Sequence, residues 1–233
     1  MKRDYNNLDL YYDELLGDIY PQPMDDGHLK AMKDIIIKWI TPLGVSTVLD
    51  VGCGEGDSQK FFKSLSCTYV GMAHGQDVYL GFEKGNFIFD LDFNFIPFDD
   101  NTQELIFSRH SLEHSPFPLI TLMEWHRVSS KWLCLILPNP EHYKYVGRNH
   151  YSVMDAAHAA WILRRAGWKM KKVSVKKEEM WYLCEKAQRI GYEGWAEAPL
   201  NNHIYEFERD LIKLNGEIDV KQYFEIMNWD GLF

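Results

Sequence analysis

A glycine at every second position follows a short apolar stretch. Residues Val48–Gly56 read Val-Leu-Asp-Val-Gly-Cys-Gly-Glu-Gly, which places Gly52, Gly54 and Gly56 directly after Asp50. Glycine permits a tight turn and lets a ligand approach the backbone closely. The start of the following helix offers free N–H groups and the positive end of a dipole. In an open parallel sheet such a loop lies beyond the carboxyl ends of the strands. The segment therefore predicts a ligand-binding loop.

The glycine spacing disfavours a nicotinamide dinucleotide as the ligand. The dinucleotide fingerprint requires the pattern G-x-G-x-x-G. Here the third glycine, Gly56, comes one residue too early, and Asp57 occupies the place where that glycine is needed. An NAD(P) oxidoreductase is therefore the least favoured of the functions considered.

Side chains that could move a proton follow the predicted fourth and fifth strands. They are His110, His114, His142, His150 and Tyr151. A structural histidine is commoner than a catalytic one, but a base near neutral pH is most often a histidine. His110 and His114 are the preferred candidates for a catalytic base, because their segment directly follows a strand end.

His110, Glu113 and His114 have the spacing i, i+3, i+4, which places them on one face of a helical turn. Two imidazoles and a carboxylate are able to hold a divalent cation. This set is the only metal site that the spacing indicates, and the favoured prediction is that no metal is bound.

The glycine segment resembles the D-x-G-x-G-x-G motif of the class I S-adenosylmethionine-dependent methyltransferases. The resemblance extends from Ser46 to Glu185, with the remaining motifs in order. It implies an α/β fold with a Rossmann-like, seven-stranded, mostly parallel sheet in the order 3-2-1-4-5-7-6. The last strand is antiparallel, and helices cover both faces. It also implies S-adenosylmethionine as cofactor, S-adenosylhomocysteine as product and in-line methyl transfer. Certain members bind a divalent cation after the fourth strand, but Leu-Glu-His is also widespread in metal-free members.

The resemblance assigns part of the cofactor site to the first two strands. Asp50 and the backbone of Gly52, Cys53 and Gly54 would hold the methionine part of the cofactor. A carboxylate near the ammonium and the sulfonium is electrostatically favourable. Met72 and Ala73, at the end of the second strand, would also line the cofactor site.

Two later segments complete the cofactor site that the resemblance implies. Asp92–Phe98 is similar to the family's D-x-x-x-L-P-F stretch, in which Asp92 would accept a hydrogen bond from the adenine amino group and Phe93 would lie beside the ring. The alternative for Asp92 is a turn residue. Ser108–His114 is similar to the segment that borders both cofactor and substrate, with Ser108 on the cofactor side.

One position departs from the family pattern. An Asp or Glu usually ends the second strand and binds both ribose hydroxyls, whereas Ala73 stands there in this chain. His74, Gln76 or Asp77 could supply the missing contact from the loop, or water could hold the ribose. A degenerate cofactor site is the third alternative.

Hydrophobic periodicity predicts strands that alternate with helices, which indicates a parallel sheet with helices on both faces. The last two strands are joined by too few residues for a crossover helix, so they should form an antiparallel hairpin. The predicted strands are Ser46–Val51, Thr68–Met72, Asn86–Asp92, Glu104–Ser108, Lys131–Leu137, Lys169–Val175 and Met180–Glu185. The predicted helices are Gly27–Thr41, Asp57–Leu65, Pro116–Val128 and Ser152–Ala166, the last with a capping box at Ser152 and Asp155 and with Gly167 at its end.

The 233 residues are enough for one α/β domain with an accessory segment. Residues 1–44 are predicted to form an N-terminal cap and first helix, 45–190 the cofactor-binding core, and 191–233 a C-terminal helical extension. The extension rests on a helical stripe of apolar side chains at Ile204, Phe207, Leu211 and Leu214.

The composition argues against nucleic acid and membrane as binding partners. A formal net charge of -9 disfavours nucleic acid, and no Pro-Pro motif of a DNA methyltransferase follows the fourth strand. The four cysteines form no C-x-x-C pair, and the chain has no signal peptide and no apolar run of membrane-spanning length. We therefore expect a cytoplasmic protein without a membrane span. The oligomeric state is left open.

The leading hypothesis is a methyltransferase for a small-molecule O or N acceptor. The alternative is a non-catalytic, methyltransferase-like binding module, which the alanine at position 73 keeps open. The sequence does not identify the acceptor, because fold alone does not name a substrate.

Overall fold

The computed structural model describes residues 26–86, 88–90, 92–140, 149–188 and 217–219. Strands and helices alternate along most of this length, as the periodicity predicts. In chain order they are α1 (Asp26–Ile35), β1 (Thr47–Val51), α2 (Gln59–Ser64), β2 (Thr68–Ala73), α3 (Gln76–Glu83), β3 (Ile88–Asp90), β4 (Gln103–Arg109), α4 (Pro118–Val128), β5 (Ser129–Pro138), α5 (Ala156–Ala166), β6 (Trp168–Val175), β7 (Glu179–Lys186) and β8 (Glu217–Asp219). Helix α1 continues as a π-helical turn, Ile36–Ile40, and a 3-10 turn, Thr41–Leu43, and a second 3-10 turn spans Leu112–His114.

The described strands form one sheet in the order β3-β2-β1-β4-β5-β7-β6-β8. Strands β1 to β5 pair in parallel, and β7 is antiparallel to both β5 and β6. The predicted order 3-2-1-4-5-7-6 and the antiparallel hairpin are therefore confirmed. Strand β8 was not predicted. It adds three residues to the β6 edge, too few to carry a recognisable alternation.

Helices cover both faces of the sheet, and alternate strand residues supply the two cores. On one face Leu49, Ile106 and Leu133 pack with α4 and α5. On the other face Val48 and Phe107 pack with α1 and α2. The period of two along each strand assigns neighbouring residues to opposite faces. Because Met32 and Ile35 of α1 are buried in the second core, the first helix packs on the sheet itself.

Helix α3 was missed by the periodicity because a glycine lies in its interior. Gly81 lowers helix propensity, but packing requires it. A Cβ at this position would lie 2.2 Å from the Ile88 side chain and 2.9 Å from the Glu55 carbonyl oxygen. The low helix propensity of glycine is therefore outweighed by the close packing of α3 against the glycine loop.

Helix α5 begins later than predicted. Its N-cap is Asp155, whose side chain accepts a hydrogen bond from the His158 N–H at 2.7 Å. Ser152 lies before the helix and donates through its hydroxyl to the Ser115 carbonyl, so the predicted capping box does not form. Gly167 ends the helix in the left-handed conformation, at φ 99°, as predicted.

The predicted tail helix from Ile204 to Leu214 lies outside the described residues. Within the predicted extension 191–233, the structure describes only the strand β8. The domain boundaries at 44 and 190 remain predictions. In the described part of the chain, no helix has both the length and the apolar character needed to cross a bilayer.

Candidate active site

The loop between β1 and α2 adopts backbone conformations that favour glycine. Gly52, Gly54 and Gly56 have φ values of 71°, 55° and 82°. Gly52 also packs against the segment after β4, because a Cβ there would lie 1.8 Å from the Ser111 Oγ. The Ser111 hydroxyl donates to the Val51 carbonyl at 3.1 Å. The segment that follows β4 therefore helps to hold the glycine loop in this shape.

Gly54 faces open space, in contrast to Gly52. A Cβ on Gly54 would find no atom nearer than the Asp77 Oδ2, at 4.0 Å. Asp77 lies in the first turn of α3, where a carboxylate is favoured by the helix dipole. Burial and, secondarily, the nearby Glu55 charge raise the pKa of Asp77. The open backbone at Gly54, with the Asp77 carboxylate nearby, suits a ligand that carries hydroxyl donors and a positive charge.

The turn after β1 is tied to the end of β2. The N–H groups of Gly52 and Cys53 both donate to the Met72 carbonyl, at 2.9 and 3.0 Å. Met72 and Ala73 are themselves buried. Four of the predicted cofactor-binding residues, Gly52, Cys53, Met72 and Ala73, therefore lie together, but the N–H groups of the first two already have protein partners. Their predicted contact with a methionine group would have to come from other loop atoms.

Asp50 is buried below the loop and bonded to the protein. Its Oδ2 accepts hydrogen bonds from the Ser58 hydroxyl and, at 2.9 Å, from the Tyr69 hydroxyl. Burial raises the pKa of Asp50 to about 6, and the two hydroxyl donors counteract part of that rise. Asp50 thus joins β1, β2 and the start of α2, and its predicted contact with the cofactor stays a prediction.

Asp92 is a turn residue, which was the alternative to its predicted role in binding adenine. Its Oδ1 accepts from the Asn94 N–H at 2.7 Å and from the Asn94 side-chain amide at 2.9 Å. Phe93 is half-buried, and its carbonyl accepts from the Trp125 Nε1 at 2.9 Å. Arg127 braces the rest of the segment by donating to the carbonyls of Ile96 and Phe98. The loop that carries Asp92 and Phe93 is thus held by hydrogen bonds to the protein. Their contact with adenine stays a prediction.

The predicted site residues at the end of β4 and just after it have different surroundings. Ser108 is fully buried, and its hydroxyl has no hydrogen-bond partner among the described residues. His110 has a left-handed backbone, with φ at 52°, a conformation that is uncommon for residues other than glycine. The His110 Nε2 lies 3.0 Å from the Glu179 Oε1. Since a carboxylate only accepts, this ring nitrogen donates.

Glu179, which sequence reasoning missed, is the centre of a buried charge cluster. Its Oε1 accepts from the Arg109 Nε at 2.9 Å and Nη2 at 2.5 Å, and its Oε2 accepts from the Trp181 Nε1 at 2.8 Å. Burial would raise the pKa of Glu179, but the hydrogen bond from His110 and the Arg109 charge lower it to about 2. No local signal marks the residue, because its partners come from a strand 70 residues away.

A second cluster lies immediately beyond His110. The structure brings Glu113, His114 and His150 together, with one ligand atom of each within 4.8 Å of the others. The His114 and His150 rings meet edge to face at 4.9 Å between centroids. In the predicted set His110 held the place of His150, but its Nδ1 is 3.6 Å from Glu113 and its other nitrogen is bonded to Glu179.

The remaining candidates are placed as follows. Tyr151 is exposed, and His142 lies outside the described residues. Three residues were candidates to replace the acidic side chain that usually binds the ribose. His74 is half-buried, and the side chain of Gln76 lies outside the described part of the structure. Asp77 is favoured because its carboxylate lies near Gly54.

The glycine loop and the histidine cluster share one edge of the sheet. Strand β1 pairs with β4 in parallel, and Val51 is opposite Ser108. Both segments that follow these strands therefore leave the sheet at the same end, side by side. In an open α/β sheet this edge is where ligands bind.

Comparison with known proteins agrees with this arrangement. Residues 49–131 match a family model described as a methyltransferase domain. The fold is similar to a SAM-dependent methyltransferase from Aquifex aeolicus, with 21% identity over 71% of this chain and 100% of that one and a TM-score of 0.55. It is also similar to magnesium protoporphyrin IX methyltransferase from Synechocystis with bound S-adenosylhomocysteine, with 12% identity, 79% and 100% coverage and a TM-score of 0.56.

A third similar structure is the [4+2]-cyclase SpnF, with 14% identity, 80% of this chain and 94% of that one covered, and a TM-score of 0.60. No curated protein sequence matches the chain. At these identities the structural likeness establishes the fold, and the family model accounts for the strands and loops that form the glycine-loop side of the site. Residues 49–131 therefore match the methyltransferase domain family, and the fold of the described residues is that of S-adenosylmethionine-dependent methyltransferases of known structure.

Proposed function

We propose that this chain is an S-adenosylmethionine-dependent methyltransferase that acts on a small-molecule oxygen or nitrogen acceptor by in-line methyl transfer. Its glycine loop would hold the methionine end of the cofactor. The observation that carries this proposal is the open face of Gly54 beneath the Asp77 carboxylate. The family usually places its acidic residue at position 73, where this chain has alanine.

Asp77 is the proposed replacement for that missing acid. It lies four residues further along, at the start of α3, and α3 packs against the loop through Gly81. A carboxylate can accept hydrogen bonds from both hydroxyls of a ribose. Asp92 and Phe93 are the proposed adenine contacts, on the segment that Arg127 braces.

The sulfonium of the bound cofactor supplies an activated methyl group and a good leaving group. The protein's contribution is then chiefly to position the acceptor, with a base needed where the acceptor must lose a proton. His110 and His114 are the proposed bases. The His114 Nδ1 lies 3.0 Å from the Asn149 carbonyl, so it is the donor, and a neutral ring then carries its lone pair on Nε2.

The charge and the thiols support the remaining assignments. A net charge of -9 argues against a nucleic-acid acceptor and leaves a small molecule. All four cysteines are buried free thiols, which fits a reducing compartment, and we propose the cytoplasm.

The test compares thermal unfolding with S-adenosylmethionine, S-adenosylhomocysteine and NAD. Ligand at one hundred times its dissociation constant stabilises a fold by about 2.7 kcal/mol. Both adenosyl ligands should raise the melting temperature, and NAD should not. A protein that shifts with neither adenosyl ligand would instead favour a non-catalytic, methyltransferase-like module.

Variants of α3 sharpen this test. Asp77→Asn should weaken S-adenosylhomocysteine binding about tenfold or more, since a buried hydrogen bond to a charged group contributes about 1.5–3 kcal/mol. Glu83→Gln removes the same charge from an exposed position at the other end of the helix and should leave affinity unchanged. Ala73→Asp introduced together with Asp77→Asn should recover part of the lost affinity. Equal affinity of the Asp77 and Glu83 variants would disprove the ribose assignment.

A further inference from the structure

Glu113 is the most anomalous polar group among the described residues. Its side chain is 1% exposed, and neither carboxylate oxygen has a hydrogen-bond partner in the described part of the chain. The nearest basic atom, the His110 Nδ1, is 3.6 Å away and beyond hydrogen-bonding distance. A buried carboxylate without partners costs several kcal/mol, so a group that completes its surroundings is expected.

Two imidazoles lie beside this carboxylate with nitrogens available to a ligand. The His114 Nδ1 donates to the Asn149 carbonyl at 3.0 Å, and this hydrogen bond orients the ring and leaves Nε2 as a Lewis base. A metal-binding histidine typically donates its other N–H to a carbonyl or carboxylate in this way. His150 is half-buried, and its ring lies edge to face with that of His114, at 4.9 Å between centroids.

The separation of these atoms suits a small cation. One ligand atom each from Glu113, His114 and His150 lies within 4.8 Å of the other two. Ligands of a tetrahedral ion with bonds of about 2.0–2.1 Å are about 3.4 Å apart. A cation would therefore draw the three side chains together by up to roughly 1.4 Å, which rotations of the side chains can supply.

We propose that Glu113, His114 and His150 bind a divalent first-row transition-metal ion, with Zn²⁺ as the best probe. Two imidazoles and one carboxylate are a donor set suited to such ions, whereas Mg²⁺ prefers oxygen ligands. Three protein ligands leave at least one position for water or for an oxygen of the acceptor. The site extends beyond the proposed function and does not depend on it.

A bound cation changes the role of His114. Its Nε2 lone pair would be donated to the metal, and the ring would no longer accept a proton. A metal-bound hydroxyl has a lowered pKa, so the cation would take over the activation of an oxygen acceptor. The two roles exclude each other, and chelation of the metal separates them.

The experiment titrates Zn²⁺ into the metal-free full chain by calorimetry, without cofactor. We expect one site per chain and a Zn²⁺-dependent rise in melting temperature. Loss of a group that only orients a ligand lowers metal affinity about 10- to 100-fold, so Glu113→Gln and His150→Gln should each reduce it at least that much. Mg²⁺ should bind far more weakly than Zn²⁺.

Two histidine variants serve as controls. His158→Gln removes an exposed imidazole from the surface of α5 and should leave Zn²⁺ affinity unchanged. His110→Gln should change it less than about tenfold, below the loss expected for a ligand. Absence of a site in the parent chain, or equal affinity of the parent and the Glu113 and His150 variants, would overturn the proposal.

Folding and cofactor binding are checked on the same samples. A retained thermal shift with S-adenosylhomocysteine in the Glu113 and His150 variants would show that they are folded. A failed metal titration beside an intact adenosyl shift would remove only this inference, whereas the opposite pattern would remove only the proposed function.

Discussion

Asp50 and Glu113 are both buried carboxylates at the carboxyl edge of the sheet, yet the protein surrounds them differently. Asp50 accepts hydrogen bonds from Ser58 and Tyr69, while Glu113 has no hydrogen-bond partner among the described residues. On the glycine-loop side the polar groups hold the protein together. On the histidine side a buried carboxylate accepts no hydrogen bond from the described residues.

The same contrast applies to the glycines and histidines around them. The N–H groups of Gly52 and Cys53 are bonded to β2, and Gly52 is closed off by Ser111. His114 and His150 instead keep ring nitrogens close to an unbonded carboxylate. The loop is therefore expected to tolerate almost no change, and the cluster is expected to tolerate change at little cost in stability.

The largest effect should come from Gly52→Ala. Left-handed strain contributes about 1–3 kcal/mol and overpacking about 1–3 kcal/mol, so urea unfolding should show a loss of about 4 kcal/mol. Gly44→Ala also has a left-handed backbone, at φ 61°, but no atom within 4 Å of its new Cβ, and should lose only about 1 kcal/mol. Ser111→Gly should relieve part of the Gly52→Ala penalty. Equal losses at positions 44 and 52 would show that the loop is not tightly packed.

The next effect concerns the charge cluster of Arg109, His110 and Glu179. Glu179→Gln leaves the buried Arg109 without its carboxylate and should lower the free energy of unfolding by about 3 kcal/mol. Arg109 and Glu179 side chains are each 10% exposed. Glu185→Gln on the same strand breaks a pair in which both side chains are 38% exposed, and should cost less than about 1 kcal/mol. Comparable urea midpoints for the two variants would contradict the buried-pair interpretation.

Asp50 should make stability depend on pH with an uncommon sign. Its folded pKa of about 6 lies above the ordinary value of 3.8, so the folded state holds the proton more strongly between these values. The contribution of Asp50 to stability should therefore fall as the pH rises from about 4 to about 6, by roughly 2–3 kcal/mol, and be constant above. The difference in unfolding free energy between the parent and Asp50→Asn, measured across this range, isolates the effect. A difference that does not change with pH would mean that Asp50 is not perturbed.

The smallest effect should be a gain. In chelator, Glu113→Gln replaces a buried carboxylate that accepts no hydrogen bond from the described residues by a neutral group of the same size, and should raise stability by about 1 kcal/mol. Glu124→Gln is the matched control, because Glu124 accepts hydrogen bonds from Arg127 and from the Ile96 N–H. The control should lower stability by about 1 kcal/mol, since it weakens an ion pair that is bonded. Loss of stability in the Glu113 variant would mean that the carboxylate has a partner.

Patterns that lie within one short segment predicted this molecule well. The alternation of strands and helices, the hairpin of β6 and β7 and the end of α5 at Gly167 follow from local periodicity, from the length of a connection or from a single residue type. The strand order followed from the family resemblance. Predictions failed where a local preference competed with a distant contact. Helix α3 tolerates Gly81 because Ile88 and Glu55 leave no room for a Cβ, and Ser152 bonds to Ser115 and so does not cap α5.

The candidate site divides in the same way. The sequence by itself determined the glycine loop, because a turn that needs left-handed residues after a buried strand is written in consecutive positions. Only the tertiary structure decided that Asp77 lies over Gly54, that Glu179 binds Arg109 and His110, and that His150 joins Glu113 and His114. These groups meet because neighbouring parallel strands end at one edge of the sheet, and no spacing along the chain records which side chains face each other there.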